Sequence, residues 1–256
     1  MKAPQWSLFK PEEMAALTAH CRVTTSSSAD HFYSVHVSDL LNEDRVSVYM
    51  DNVVNLFETS SQIVAASQFS KRFSFLTVVP SLYAMTMFNK GLDFSAENCH
   101  VESIFQEKAW LPKVRLRDWS VTVPAVDDRH IWRDQVVKNI FAGNLSRVWH
   151  SISRATEISP AVLWENTAIY VYWLYEKRIG EEANDSQKLR IHEDFQYLLT
   201  APAALFGQSE NPLSKYYSSK CKVSTSDQPV RVRQTCCYYY QTTTNQTYCS
   251  TCPRKQ

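Results

Sequence analysis

Glycine is scarce, with only 4 in 256 residues. No GxGxxG or GxxxxGK[ST] pattern occurs, so the backbone cradles that hold nucleotide phosphates are missing. The seven histidines (His20, His31, His36, His100, His130, His150 and His192) are scattered, without an HExxH pair or the close spacing of a Rieske-like centre. No Ser/His/Asp or paired-carboxylate arrangement stands out, which removes the usual signatures of acid–base hydrolysis. There is no long Lys/Arg run, so nucleic acid is not expected as a partner. The longest uncharged stretch, FSFLTVVPSLYAMTMFN at 73–89, has 17 residues and contains Pro80. A spanning helix needs about 20 predominantly apolar residues, so this stretch reads as a buried segment. The opening MKAPQWSLFKPEEMAAL lacks the apolar core of a signal peptide. A cytoplasmic chain with reduced thiols is expected, which counts against disulfide staples.

A hydrophobic content of 44% with 21% charged residues is that of a folded chain with a sizeable core. The net charge of +1 is unevenly spread. From 215 to 256, seven cations (Lys215, Lys220, Lys222, Arg231, Arg233, Arg254 and Lys255) face one acid, Asp227, leaving residues 1–214 with a net −5. Such a tail either is simply solvated or meets an anionic partner.

Periodicity predicts mostly helix. Residues 10–21 form a short helix with Pro11 at its start and Glu12 and Glu13 in its first turn. HFYSVHV at 31–37 reads as a strand. A helix runs from about Glu43 to Phe69 with Val46, Met50, Val53, Val54 and Phe57 on one side. Pro80 and Ser81 interrupt the uncharged run, and LYAMTMFNKG reads as a helix stopped at Gly91. Residues 92–123 alternate as two or three antiparallel strands of one small sheet. Asp128 caps a helix through Ile152, and Ser159-Pro160 opens another that is apolar nearly all round and runs to Gly180. A further helix covers roughly 186–200. The fold class is α+β, predominantly helical, with a small antiparallel sheet and a cysteine-rich tail. The body is residues 1–214, and 215–256 is a tail packed on it as one unit.

The tail carries the chemistry. Cys236 and Cys237 are adjacent, eleven residues follow, and Cys249-x-x-Cys252 completes the set. A C-x-x-C turn brings two thiolates towards one metal and is common to zinc sites, redox dithiols and iron–sulfur ligation. The adjacent pair is less ordinary, because neighbouring side chains on an extended chain point to opposite faces. Such a pair is awkward around one zinc, whereas a two-iron centre tolerates more varied sulfur positions and four cysteines match its ligand count. An iron–sulfur cluster, a structural zinc and free thiols all remain open on these grounds. Cys21, Cys99 and Cys221 show no ligand spacing and read as small apolar residues.

RQTCCYYY followed by YCSTCPR resembles the C-terminal signature of the FhuF-type ferric siderophore reductases, and SPAVLWENTA and ENPL are similar to segments of that family. The family pattern is CC-x10-C-x2-C, and the loop here is one residue longer; lengthening a flexible loop by one residue costs little closure entropy. The resemblance implies that Cys236, Cys237, Cys249 and Cys252 ligate a [2Fe–2S] cluster. It implies a ferric siderophore as substrate, with one-electron reduction releasing Fe(II) in the cytoplasm. It also implies an electron donor such as a ferredoxin or flavin reductase, and peripheral contact with a membrane transporter is compatible with it. Arg231, Arg233, Arg254 and Lys255 would make the centre's surroundings positive and attract an anionic chelate. Tyr238, Tyr239, Tyr240 and Tyr248 would shield it or contact the ligand. The alternatives are a zinc-stabilised binding module with a basic tail, or a siderophore-binding domain without redox activity.

Overall fold

The uncharged run becomes the axis of the molecule. In the computed structural model, which describes residues 5–107, 109–181, 183–223, 226–243 and 245–255, all of it but the final Asn89 lies within a helix of 27 residues. The helices are α1 (Pro11–His20), α2 (Glu43–Leu56), α3 (Gln62–Phe88), α4 (Arg129–Ile140), α5 (Ser146–Thr156), α6 (Pro160–Trp173), α7 (Asp185–Thr200) and the single turn α8 (Pro212–Lys215). Helix α3 is buried over most of its length and packs most extensively on α6, with α2 and α7 also against it. Among the described residues no helix is long and apolar enough to cross a membrane.

The α3–α6 seam is polar as well as apolar. Ser67, Ser70, Ser74, Thr77 and Ser81 recur at helical spacing and are all buried. Each hydroxyl has a partner: Ser70 and Thr77 bond back to the preceding turn, Ser81 does likewise, and Ser74 meets Thr167 of α6 at 2.9 Å. Small side chains let the two helices approach closely, and satisfied hydroxyls avoid the cost of an unpaired buried group. Phe69, Phe73 and Trp149 fill the flank of this seam, with ring centroids 5.6 Å apart for each successive pair.

Pro80 does not divide α3. It lies inside the helix and is buried. Its ring and missing N–H cost about 3 kcal/mol in a helix interior, and burial of the surrounding turns on every side outweighs that. The break falls upstream: α2 ends at Leu56, Glu58 takes a left-handed φ of 49°, and Ser61 caps α3 by accepting from the Val64 N–H. The downstream stop is Asn89, also left-handed, rather than Gly91. Gly91 sits in a strand, where an added Cβ would come within 2.5 Å of Val136 Cγ2 and 2.7 Å of Thr122 Oγ1. Gly91→Ala is therefore expected to destabilise the fold by about 1–3 kcal/mol through overpacking, measured by urea unfolding. An unchanged midpoint would show that the α4 side chains can retreat.

The strands are β1 (Gln5–Ser7), β2 (Val35–His36), β3 (Gly91–Leu92), β4 (Cys99–Glu102), β5 (Phe105–Gln106), β6 (Ala109–Trp110), β7 (Lys113–Leu116), β8 (Val121–Val123), β9 (Cys221–Val223) and β10 (Ser226–Val230). They form two three-stranded antiparallel sheets, β1-β8-β3 and β2-β4-β7, and two hairpins, in place of the one small sheet expected. In the second sheet Cys99 and Val101 pair with Leu116 and Val114 on the buried face. HFYSVHV keeps only two strand residues, because the Asp30 carboxylate accepts from the N–H groups of Phe32 and Tyr33 and turns the chain there. The expected helix from Asp128 is real but interrupted by a π-turn at Phe141–Leu145, and its N-cap Asp128 makes no capping bond. A second π-turn, Leu174–Arg178, extends α6. The β9–β10 hairpin lies in the basic tail, where no strand was expected.

Candidate metal centre

Two buried side chains of α6, Glu165 and Asn166, organise the approach to the cysteines. Glu165 is 2% exposed and accepts from the N–H groups of Gln234 (2.6 Å) and Thr235 (2.7 Å), as well as from the Thr235 hydroxyl. Arg233, 6% exposed, donates to Asn166 Oδ1 at 2.6 Å and has its Nε 3.6 Å from Glu165. The Arg233 N–H reaches the Thr251 carbonyl at 3.0 Å, tying the chain before the first cysteines to the turn that carries the last two. Asn166 in turn donates to Ser67 and Ser70 of α3. From α3, Ser67 Oγ and Gln68 Nε2 both donate to the Cys237 carbonyl, at 2.8 and 2.7 Å.

The adjacent cysteines differ in burial and in partners. Cys237 is buried, and its Sγ lies 4.0 Å from Cys249 Sγ. Tyr238, at a left-handed φ of 56°, bends the chain immediately afterwards, and its N–H reaches Cys236 Sγ at 3.4 Å. Cys236 is half-buried and lies within the electrostatic reach of Cys252 and Arg254. Cys249 and Cys252 close a turn through the Cys252 N–H and the Cys249 carbonyl at 3.1 Å, and Cys252 is buried. Lys71 Nζ, from α3, lies 3.9 Å from Cys237 Sγ and 4.9 Å from the centroid of the Tyr239 ring.

These surroundings favour thiolate at one position. The Cys237 thiol is lowered to about 5 by a hydrogen bond from Cys249, against the opposing effect of burial, with Lys71 and Arg233 adding positive charge. Cys249 is pushed up by the same hydrogen bond and by burial, so the pair gives up its first proton readily and its second reluctantly. Cys236 is raised, mainly by desolvation. Lys71 is lowered by its own burial, while Cys237 acts in the opposite sense. Two thiolates on one tetrahedral metal, each ~2.3 Å from it, stand about 3.8 Å apart, and the 4.0 Å between Cys237 and Cys249 is compatible with that. Among the described residues no three His, Cys, Asp or Glu side chains converge as a ready-made single-metal site. Four thiols of one short segment, with a backbone N–H on Cys236 and the half-buried Lys71 and buried Arg233 acting on Cys237, make a donor set suited to a negatively charged thiolate cluster.

The cations expected to dock a chelate have different placements. Arg233 is internal and structural. Arg231 is half-buried, paired with Glu176 at 2.7 Å, with its guanidinium 4.0 Å from the Tyr217 ring centroid. Arg254 is exposed, donates to the Tyr240 hydroxyl at 2.7 Å and lies over that ring. Lys255 ends the last 3-10 turn, and its side chain lies outside the described residues. Tyr240 stacks on Tyr248 with centroids 4.8 Å apart, Tyr239 lies under Lys71, and Tyr238 packs on the core. Cys21 and Cys99 are core residues; burial pushes Cys21 up to about 12 and raises Cys99 as well. Cys221 is exposed on β9.

Sequence reasoning missed Glu165, Asn166, Ser67, Gln68 and Lys71. The signal for Glu165 was visible, as a carboxylate inside a helix that is otherwise apolar on nearly every side. Ser67, Gln68 and Lys71 share a helix face by spacing, but nothing local says what that face meets.

A helical body thus anchors a segment that carries four thiols, with Lys71 3.9 Å from one of its sulfurs. The chain belongs to the FhuF-like ferric iron reductase family. The family profile described as "Ferric iron reductase FhuF-like transporter" matches residues 67–224. A second, "FhuF 2Fe-2S C-terminal domain", matches residues 233–254. The cofactor is a [2Fe–2S] cluster, which sets aside the zinc alternative. A comparison with curated proteins finds no match.

Proposed function

We propose that this chain reduces ferric siderophores one electron at a time, with Cys236, Cys237, Cys249 and Cys252 as the ligands of its cluster. The observation that carries the reading is the 4.0 Å approach of the Cys237 and Cys249 sulfurs, with the charges of Lys71 and Arg233 both acting on Cys237. A [2Fe–2S] cluster supplies a single electron at low potential.

The substrate chemistry matches that supply. Fe(III) is a hard cation held by oxygen donors, and one electron converts it to Fe(II), which those donors hold less well. No acid–base machinery is required. The chain's residues position and shield: Gln68 and Ser67 fix the Cys237 backbone, Cys237 and Cys252 are buried, and Cys236 and Cys249 are half-buried. An electron donor of the ferredoxin or flavin-reductase class would recharge the protein. Release of Fe(II) in the cytoplasm, beside a membrane transporter, completes the reading.

The test uses anaerobically purified holoprotein. Chemically reduced protein mixed with a ferric siderophore should be reoxidised, with Fe(II) appearing in an Fe(II)-specific chelator. Protein that stays reduced with catecholate, hydroxamate and carboxylate chelates alike overturns the reading. Serine at any of the four positions should lower bound iron and sulfide, whereas Cys221→Ser should leave both unchanged. Arg254→Gln should slow reoxidation by an anionic chelate severalfold at low salt and leave a neutral chelate unaffected, because an exposed charge acts mainly on association.

A further inference from the structure

Three cations beside the tail, Arg22, Lys71 and Arg72, are half-buried and have no ion-pair partner among the described residues. The arginines elsewhere in the interior differ: Arg129, Arg133, Arg231 and Arg233 each face a carboxylate. Arg72 donates to the carbonyls of Gln68 and Trp110, at 3.0 and 3.3 Å. Arg22 lies 4.8 Å over the Phe75 ring, and Lys71 4.9 Å over Tyr239. Burial lowers Arg72 to about 10 and lowers Lys71 as well, and the charges that act most on them are thiols, phenols and other cations. Cations held partly out of water without a counter-charge are costly, and an outside anion would offset that cost. Arg22 is also kept at a left-handed φ of 53°, with its carbonyl accepting from the Val114 N–H at 2.9 Å. Backbone held in that region is characteristic of binding and switch sites.

Aromatic rings join the three cations into one face. Phe75 meets Tyr170 and Trp173 of α6, with centroids 5.6 and 5.9 Å away, and all three rings are partly exposed. Tyr170 lies within the electrostatic reach of Arg22, Arg72 and Cys237. Tyr239, under Lys71, is 38% exposed, and Lys71 itself is 3.9 Å from Cys237 Sγ. Trp173 also lines a cavity of about 220 Å³ together with Arg231, Ser250 and Thr251, so the face continues to the turn between Cys249 and Cys252.

The composition distinguishes the kinds of partner. Arginine with tyrosine and tryptophan is what protein interfaces concentrate at their centres, whereas a membrane-binding face sets lysines around an apolar stripe. We propose that this face docks an acidic one-electron carrier protein, whose carboxylates meet Arg22, Lys71 and Arg72 beside Cys237. One electron leaves the reduced carrier and enters the oxidised protein; no bond forms or breaks. This rests on the reductase reading for the need of a donor, and it adds the donor's docking surface and its charge.

The probe is an acidic plant-type ferredoxin. Calorimetric titration of oxidised holoprotein with oxidised ferredoxin should show an affinity that falls at least tenfold between low salt and about 0.5 M salt. Arg22→Glu should weaken binding at least tenfold at low salt, and Arg72→Gln severalfold, with the visible spectrum of the cluster unchanged. Lys138→Glu, the same change of charge at an exposed position of α4, should leave binding as it is. In stopped flow, Arg22→Glu should slow reduction by ferredoxin at least tenfold more than reduction by methyl viologen, a small cation. Salt-independent affinity, an equal loss with Lys138→Glu, or equal slowing of both reductants overturns the docking face, even if ferric chelates are reduced. Vesicles of anionic phospholipid that bind through Arg22 where ferredoxin does not would make the face a membrane contact and overturn it too. Ferredoxin docking here on protein that reduces no ferric chelate leaves the face standing and removes the reductase reading.

Discussion

Glu165→Ala should destabilise the protein by about 3–5 kcal/mol, the usual cost of leaving one partner of a buried charged pair alone. For a chain of this size that is a fall in Tm of roughly 6–20 °C. The loss has identifiable parts. Arg233, 6% exposed, loses its counter-charge, and the N–H groups of Gln234 and Thr235 lose their acceptor. All three lie immediately before Cys236, so the damage concentrates where the thiols are held. Cluster content per chain should fall together with Tm, and cluster loss in air should quicken. Glu165→Gln keeps one acceptor oxygen and should lie between wild type and alanine. Adding Arg233→Met to Glu165→Ala should recover part of the stability, because the stranded charge is removed with its partner. A thermal scan with iron and sulfide assays on the same samples decides this. Native Tm and cluster content in Glu165→Ala would show that the network does not hold the tail.

Lys71→Met should lower the reduction potential of the cluster. A reduced centre carries one more negative charge, and a nearby cation stabilises that state. Unit charges ~4 Å apart in an effective dielectric of ~20 interact by about 4 kcal/mol, equivalent to ~180 mV for one electron. This is a ceiling, because the added electron is spread beyond the sulfur that Lys71 approaches at 3.9 Å; a fall of several tens of mV to ~100 mV is expected. Methionine keeps an unbranched side chain one atom shorter and its apolar packing over Tyr239, so the fold should be untouched. Lys71→Arg should retain most of the wild-type potential. A redox titration monitored by visible absorption reads both variants, and an unchanged potential in Lys71→Met would remove Lys71 from the electrostatics of the centre. A more reducing cluster with unaltered chelate binding should also transfer its electron faster.

Legibility differed sharply between the parts of this protein. The four thiols and their spacing were evident from the chain alone, because ligand chemistry is carried by residue type and local spacing. Helices such as α1, α6 and α7 were readable for a similar reason, since their caps and apolar periods lie within one segment. Pro80 was misleading: its local preference is to end a helix, and burial of α3 on several sides overrode it. The sheets were harder, since β1 pairs with β8 from the other end of a 120-residue stretch, register Gln5 to Val123, and such pairing leaves no local trace. The cations of the tail show the same divide. Composition made Arg231, Arg233 and Arg254 equivalent, yet one is an internal strut, one is ion-paired at a cavity mouth and one is exposed. By itself the sequence determined which thiols are available to a metal, because a thiolate's affinity for iron belongs to the residue. Only the tertiary structure decided which charges face those atoms and which carboxylate holds their segment, because that depends on α3 and α6 meeting a segment some 170 and 70 residues away, respectively.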